Sequence, residues 1–324
     1  MAARVLVTGA TGFLGGAVLR RLGDNGVGQG RNPALCAALA ADGMKVVTWS
    51  LPGAAPQSPQ LAQVDTIVHC AGLSSPFGRP EAFHTANVLG TESLLNFARL
   101  QGVKRFVFIS SPSIYFTLSD QLDVPEDMPL PPAFTPYAQS KIDAEQLVRA
   151  APEVGPIILR PRGIYGHGDS ALLPRLLKAA TTRALPRFRQ GQARIDLTYV
   201  DDVVDAVMSA ISAKQLQEGR AFNISGGEVL LIREIVEGVC ERAGIVPRWR
   251  DIPLAPALFA ARVAETLALM RRDPREPVMS RYSLGLFAYQ QSLDISRARD
   301  DLGWAPRVGF AEGLDRVFGQ GGTG

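Results

Sequence analysis

A tyrosine and a lysine four positions apart, Tyr137 and Lys141, are the residues whose types and spacing first suggest chemistry. On a helix that spacing puts both side chains on one face. An ammonium beside a phenol favours the phenolate, so the pair could exchange a proton with an alcohol or carbonyl oxygen. Ser111 closes an upstream apolar run that begins at Arg105, and there its hydroxyl would bind the same oxygen. Tyr-x-x-x-Lys by itself also occurs on solvated helix faces, so the chemical reading depends on what accompanies it.

What accompanies it is the start of the chain. Val5 to Val7 reads as a buried strand, and Thr8-Gly-Ala-Thr-Gly-Phe-Leu-Gly15 as a turn opening a helix. Gly9 permits the tight turn, Gly12 lets backbone approach a pyrophosphate, and Gly15 lets the helix lie close on the strand. Thr11, Phe13 and Leu14 complete an anion-binding helix start. A dinucleotide is the cofactor this predicts. After the first helix, residues 24–33 occupy the place of a second strand. At its end Arg31 and Asn32 would accommodate a 2′-phosphate, whereas a carboxylate would bind a ribose hydroxyl. NADP is therefore favoured, with NAD possible. Ser50 and Leu51, ending a third strand, would lie beside the adenine. Cys70, Ala71 and Gly72, ending a fourth, would pass under the cofactor, while His69 reads as a packed core histidine.

The elements that must position these residues alternate. Helices are expected at 33–42, at 81–100 around Asn87, and from Pro136 with Thr135 as its cap. Strands are expected at 45–50, 64–72, 105–111, 156–166, 194–200 and 221–224, with helices at 172–180, 201–213 and 254–270. Strand–helix alternation demands parallel strands with right-handed crossovers, hence an α/β fold with a doubly wound parallel Rossmann sheet. Past Ser225 the content shifts to helices and loops, read as a smaller, mostly helical C-terminal substrate domain. The expected division is 1–165 with 192–224 for the nucleotide-binding domain and 166–191 with 225–318 for the substrate domain. Residues 319–324 are expected to be a disordered tail.

Composition narrows the function classes. The chain has 324 residues and a formal net charge of +3 from 34 basic and 31 acidic residues. That balance argues against nucleic acid as partner and for a small-molecule substrate. Cys36, Cys70 and Cys240 are scattered, so no disulfide framework is indicated and a reducing cytoplasm fits. No metal is expected, because His69, His84 and His167 lie in no ligand-like cluster. The apolar segment 254–270 carries Pro256, Arg262 and Glu265, which speaks for an amphipathic helix and against a membrane span.

Taken together, the chain resembles the extended short-chain dehydrogenase/reductases of the NAD-dependent epimerase/dehydratase type. The resemblance rests on Thr8 to Gly15, Asn87 to Thr91, Ile109 to Ser113, Tyr137 to Lys141, Leu159-Arg-Pro-Arg-Gly-Ile-Tyr-Gly166, Tyr199 to Asp202 and Leu302 to Pro306. It implies that Tyr137 is the acid/base, Lys141 the residue that binds the nicotinamide ribose and tunes the tyrosine, and Ser111 the carbonyl-polarising hydroxyl. It further implies cofactor contacts from Asn87, Ser110 and the loop Pro161, Arg162, Gly163 and Ile164, and a homodimer through the helices 81–100 and 137–148. Ser110 to Phe116, Arg194 to Val200 and Ser280 to Tyr289 look most like the 3β-hydroxysteroid dehydrogenase branch. Three readings follow from the resemblance. One is a reductase or dehydrogenase of apolar, steroid-like or alkyl-keto substrates. Another is a nucleotide-sugar epimerase or dehydratase with retained NAD, for which Arg175, Arg187, Arg189 and Arg233 could bind a diphosphate. The third is a non-catalytic dinucleotide-binding regulator.

Overall fold

The structure, a computed structural model, describes residues 4–213, 219–271 and 276–319. The chain opens with β1 (Arg4–Thr8), α1 (Phe13–Leu22), β2 (Gly26–Gly30), α2 (Pro33–Ala41), β3 (Val46–Thr48) and β4 (Val64–His69). It continues with α3 (Pro80–Phe83), a π-helical turn (His84–Leu89), α4 (Gly90–Gln101), β5 (Arg105–Ile109), β6 (Gln121–Val124), α5 (Pro136–Arg149) and β7 (Pro156–Pro161). Next come β8 (Ile164–Tyr165), α6 (Leu172–Thr182), β9 (Leu185–Arg187), β10 (Arg194–Asp196), β11 (Thr198–Tyr199), α7 (Val200–Ser212) and β12 (Arg220–Ile224). The remainder comprises β13 (Val229–Leu231), α8 (Ile232–Arg242), β14 (Trp249–Asp251), α9 (Leu254–Leu269), α10 (Arg281–Ala288), β15 (Gln291–Leu293), α11 (Ser296–Leu302) and α12 (Phe310–Gly319).

Seven parallel strands in the order β12-β7-β5-β4-β1-β2-β3 form the main sheet. The order reverses direction beside β1, and in such sheets the crevice outside the strand ends is where ligands sit. One face packs Val18, Val203, Val207 and Trp304 against Val7, Val107 and Leu159. The other packs Leu94, Phe97, Ala144 and Val148 against Leu6, Phe106 and Ile158. Both faces being covered explains why β1, β5, β7 and β12 are buried almost along their whole length, with no exposed alternate side.

β2 is a strand despite three glycines because its neighbours leave no room for side chains. A Cβ on Gly28 would lie 2.8 Å from Leu19 and 2.9 Å from Ala10, and one on Gly30 would lie 2.7 Å from Thr11 and 2.8 Å from Cys36. The two flanking helices are thereby drawn onto the strand.

Three expectations are corrected. The single helix over 81–100 is interrupted by the π turn His84–Leu89, whose extra residue per turn a 3.6-residue periodicity does not reveal. The strand over 194–200 is two short strands, one of which feeds directly into α7. Beyond Ser225 the chain is not only helix and loop: β13, β10, β15 and β6 form a small four-stranded sheet, and β14 pairs with β9. Because β6 and β10 come from the first part of the chain, this small sheet stitches the two expected domains together. The expected tail begins at Gly319, which closes α12, and residues 320–324 lie outside the described residues.

Candidate active site

The first turn has the features of an anion cradle. Gly9 adopts φ +68°, and a Cβ there would stand 2.8 Å from the Ala71 amide nitrogen. A Cβ on Gly15 would collide with the Gly9 carbonyl. The helix starts at Gly12 with no side-chain cap, and its first intrahelical bond runs from Gly16 N–H to the Gly12 oxygen at 2.9 Å. The N–H groups of Phe13, Leu14 and Gly15 therefore precede the helical ladder and are available to an anion, beside Thr11. Opposite, Gly72 is held small: a Cβ would lie 2.9 Å from Asn87 Oδ1 and 3.8 Å from Lys141 Nζ. A glycine-walled slot with an uncapped helix start fits a dinucleotide diphosphate.

Gln29 was not anticipated from the sequence, yet it sets this turn. Buried at the end of β2, it donates from Nε2 to the Trp49 carbonyl and accepts the Gly9 N–H at Oε1, 3.1 Å away. One polar side chain in a glycine strand was the only signal. Asn32 caps α2 by accepting from the amides of Ala34 (3.0 Å) and Leu35 (3.4 Å). Arg31 is exposed at the same strand end and has no side-chain partner among the described residues. Ser50 is exposed and Leu51 half-buried near Gly90.

His69 is a core histidine, as the sequence suggested, and it also ties the cradle together. Thr91 donates its hydroxyl hydrogen to the Asn87 carbonyl (2.6 Å), so His69 Nε2–H must donate to Thr91 Oγ1 (3.0 Å). Nδ1 then accepts from Thr8 Oγ1 (2.7 Å), which itself accepts the Ala71 N–H (3.1 Å). Burial first, and the Lys141 charge second, push the His69 pKa down to about 3, so the ring is neutral. Burial likewise pushes the Cys70 thiol up to about 12, leaving it an inert neighbour of Ala71.

The expected acid/base elements meet at the carboxyl edge of β5. Thr135 caps α5 through Ala138 N–H (3.1 Å) with Pro136 in its first turn. Lys141 is buried one turn beyond Tyr137, and its ammonium donates to the Ile109 carbonyl at 2.8 Å and sits 4.8 Å from the Phe108 ring centre. That bond fixes α5 against the strand end from which Ser110 and Ser111 follow. Ser111 caps the short 3-10 turn Pro112–Tyr115 by accepting Ser113 N–H (3.2 Å). Among the described residues no hydrogen bond joins Ser111, Tyr137 and Lys141 directly. Asn87, inside the π turn, accepts Leu73 N–H (2.7 Å) and donates to Ser140 (2.8 Å), linking the loop after β4 to α5.

The loop after β7, whose backbone is expected to meet the cofactor, is held by its neighbours. Gly163 takes φ +47° and, with Pro161 and Ile164, runs toward Leu197. Arg162, however, is buried, with Nε 2.9 Å from Asp196 and its guanidinium bonded to Gln291. Its N–H donates to the Ile224 carbonyl and its own carbonyl accepts from Thr198. These side-chain bonds anchor the loop to the small sheet.

Tyr282, on α10, which the sequence did not single out, lies near Tyr137 and Arg162. Its ring packs 4.6 Å from Phe116, which packs 4.9 Å from Phe134. Burial, outweighing nearby Arg162, pushes its hydroxyl up to about 12, with Tyr137 acting in the same direction. Beyond it, Ser283, Leu286 and Phe287 of α10 line a cavity of about 660 Å³ together with Leu176, Leu185, Ile195, Leu197, Ile235 and Val236. The arginines considered for a diphosphate are committed elsewhere. Arg187 forms two bonds to Asp251 and Arg189 two to Asp120, while Arg175 pairs with Glu276 and Arg233 with Glu237. Among the described residues no cluster of three or more histidine, cysteine or acidic side chains could hold a metal.

The chain resembles known proteins along most of its length. The model of the NAD dependent epimerase/dehydratase family covers residues 5–225. A 2-alkyl-3-oxoalkanoate reductase of Stenotrophomonas maltophilia is 30% identical over 97% of this chain and 98% of its own. A 3 beta-hydroxysteroid dehydrogenase/Delta 5-->4-isomerase of Mycobacterium tuberculosis is 27% identical, over 94% of this chain and 86% of its own. In fold, the chain superposes on a UDP-glucuronic acid 4-epimerase from Bacillus cereus solved with NAD, at TM-score 0.73 and 23% identity, covering 97% of each. The chain thus belongs to the NAD-dependent epimerase/dehydratase family and is an NAD(P)-dependent oxidoreductase/epimerase of the extended short-chain dehydrogenase/reductase type.

Proposed function

We propose that the protein is a reductase or dehydrogenase acting on a carbonyl or secondary alcohol of an apolar substrate, with Tyr137 as proton donor and acceptor. The observation that carries this reading is the cavity beside α10, whose wall is mainly aliphatic and aromatic, with Leu172, Leu176, Ile195, Leu197, Val236 and Phe287, and in which Arg175 is paired with Glu276. An alkyl or steroid-like ketone needs apolar wall and one polar end, and a volume of this size suits it.

The dinucleotide would be held by the turn Gly9, Gly12 and Gly15 with the N–H groups of Phe13, Leu14 and Gly15 beside Thr11, and by Asn87, Ser110 and Lys141 farther along. When bound, it supplies or takes up the hydride. In the reductive direction Tyr137 gives its hydroxyl proton to the carbonyl oxygen while Ser111 hydrogen-bonds that oxygen. Lys141 keeps a positive charge beside the forming phenolate, and its bond to Ile109 holds it in place. Arg31, exposed and unpaired, is assigned to the 2′-phosphate, making NADP the preferred form. Relatedness to the Stenotrophomonas reductase supports an alkyl-keto substrate.

The test is absorbance at the reduced-nicotinamide band with alkyl 3-oxo acids and 3-ketosteroids, against UDP-sugars as the competing class. Oxidation of NADPH by the apolar ketones, with an Arg31→Asp variant shifting preference toward NADH by about tenfold or more, is expected. Conversion of UDP-sugars without net oxidation would move the protein to the epimerase reading.

A further inference from the structure

We infer that α9 is a membrane-docking helix that seats the protein on a lipid surface bearing anionic headgroups, next to the mouth of the apolar cavity. Only Ala261 of its sixteen residues is fully buried. The outward side presents Phe259, 70% exposed, with Val263, Leu267 and Met270 at 43%, 59% and 78%, all within one stripe at helical spacing. Glu265, the helix's one acidic residue, is turned to the protein and receives Arg281 through its amide and guanidinium, both at 2.7 Å. The open side of α9 therefore carries a single charge, Arg262.

An apolar stripe of this length on a folded surface marks an interaction site. Three features select a lipid surface as the occupant. Basic charges flank the stripe: Arg262 along its side, Arg271 at its end, and Arg79, whose guanidinium reaches the Arg271 carbonyl at 3.0 Å. An apolar face with a cationic edge complements anionic headgroups over acyl chains. Val278, 80% exposed, lines the cavity with Pro277 and Met279, and Met279 packs in one apolar cluster with Leu254, Ala257, Leu258 and Ala261 of α9. A side chain that faces both solvent and cavity puts the cavity mouth at the docked surface. No described helix is long and apolar enough to cross a membrane, so the attachment lies in the interface plane.

The inference does not depend on turnover, and neither does its test. The full chain is floated with vesicles of phosphatidylcholine alone and of equimolar phosphatidylcholine and phosphatidylglycerol. Wild-type protein is expected to rise with the anionic vesicles, and less so as salt is raised. The double variant Phe259→Asp with Leu267→Asp alters exposed positions only, so it should keep its circular-dichroism melting curve while vesicle partition falls about tenfold or more. Arg262→Glu with Arg271→Glu should remove the preference for anionic vesicles. Wild-type protein that stays unbound, or variants that float equally well, would overturn the inference. Light scattering that shows a dimer lost on Phe259→Asp, with no vesicle binding, would assign the face to a second copy of the chain.

Discussion

His69 lies beneath the glycine cradle and touches no ligand position, but its two ring nitrogens join β1, the loop after β4 and the Asn87 turn. Its protonation therefore tests whether that connection matters. The folded-state pKa of about 3 lies below the unfolded value of 6.5, so the unfolded chain binds more protons between the two. The stability tied to this ring is fully present above the unfolded value and is lost as pH falls toward the folded one. Denaturant titration should show about 2 kcal/mol less stability near pH 5 than near pH 7 from this residue. A His69→Gln variant, already weakened, should lack that slope; an equal slope in the variant would place the titration elsewhere. At this scale the sequence was most informative where contacts are local. The placing of Tyr137 and Lys141 one turn apart on a single helix was legible because it follows from spacing alone. Gln29 and Tyr282 were not, because each acts on a residue far along the chain, Gln29 on Trp49 and Tyr282 on Phe116.

The elements show the same division. α5 carries both Tyr137 and Lys141, and its start is fixed by Thr135, whose cap lies two residues before Tyr137. Thr135→Ala should cost about 1 kcal/mol in urea unfolding, recovered largely by Thr135→Ser. An unchanged midpoint would show that packing alone holds the helix start. Cap, proline and periodicity made this helix readable residue by residue. The π turn holding Asn87 was not readable, since apolar spacing on either side of it continues as in an ordinary helix. β2 was recognisable only by its place in the alternation; the reason for its glycines, the close approach of Leu19, Thr11 and Cys36, is a tertiary one. The small sheet was missed because three-residue strands leave no period to detect.

For the whole molecule, the alternation of strands and helices was enough to specify the doubly wound sheet, and the sheet determines that the glycine turn, Ser111 and α5 face one crevice. The pairing of Arg187 and Arg189 was not legible, because their acid partners Asp251 and Asp120 come from distant segments. The central claim is that this crevice does proton chemistry through a phenol. The most direct measurement compares wild-type protein with Tyr137→Phe for NADPH affinity by fluorescence and for kcat/KM with an alkyl 3-oxo acid. Unchanged affinity with kcat/KM lowered by about a hundredfold to ten-thousandfold is the predicted result. Turnover undiminished in Tyr137→Phe would contradict the account.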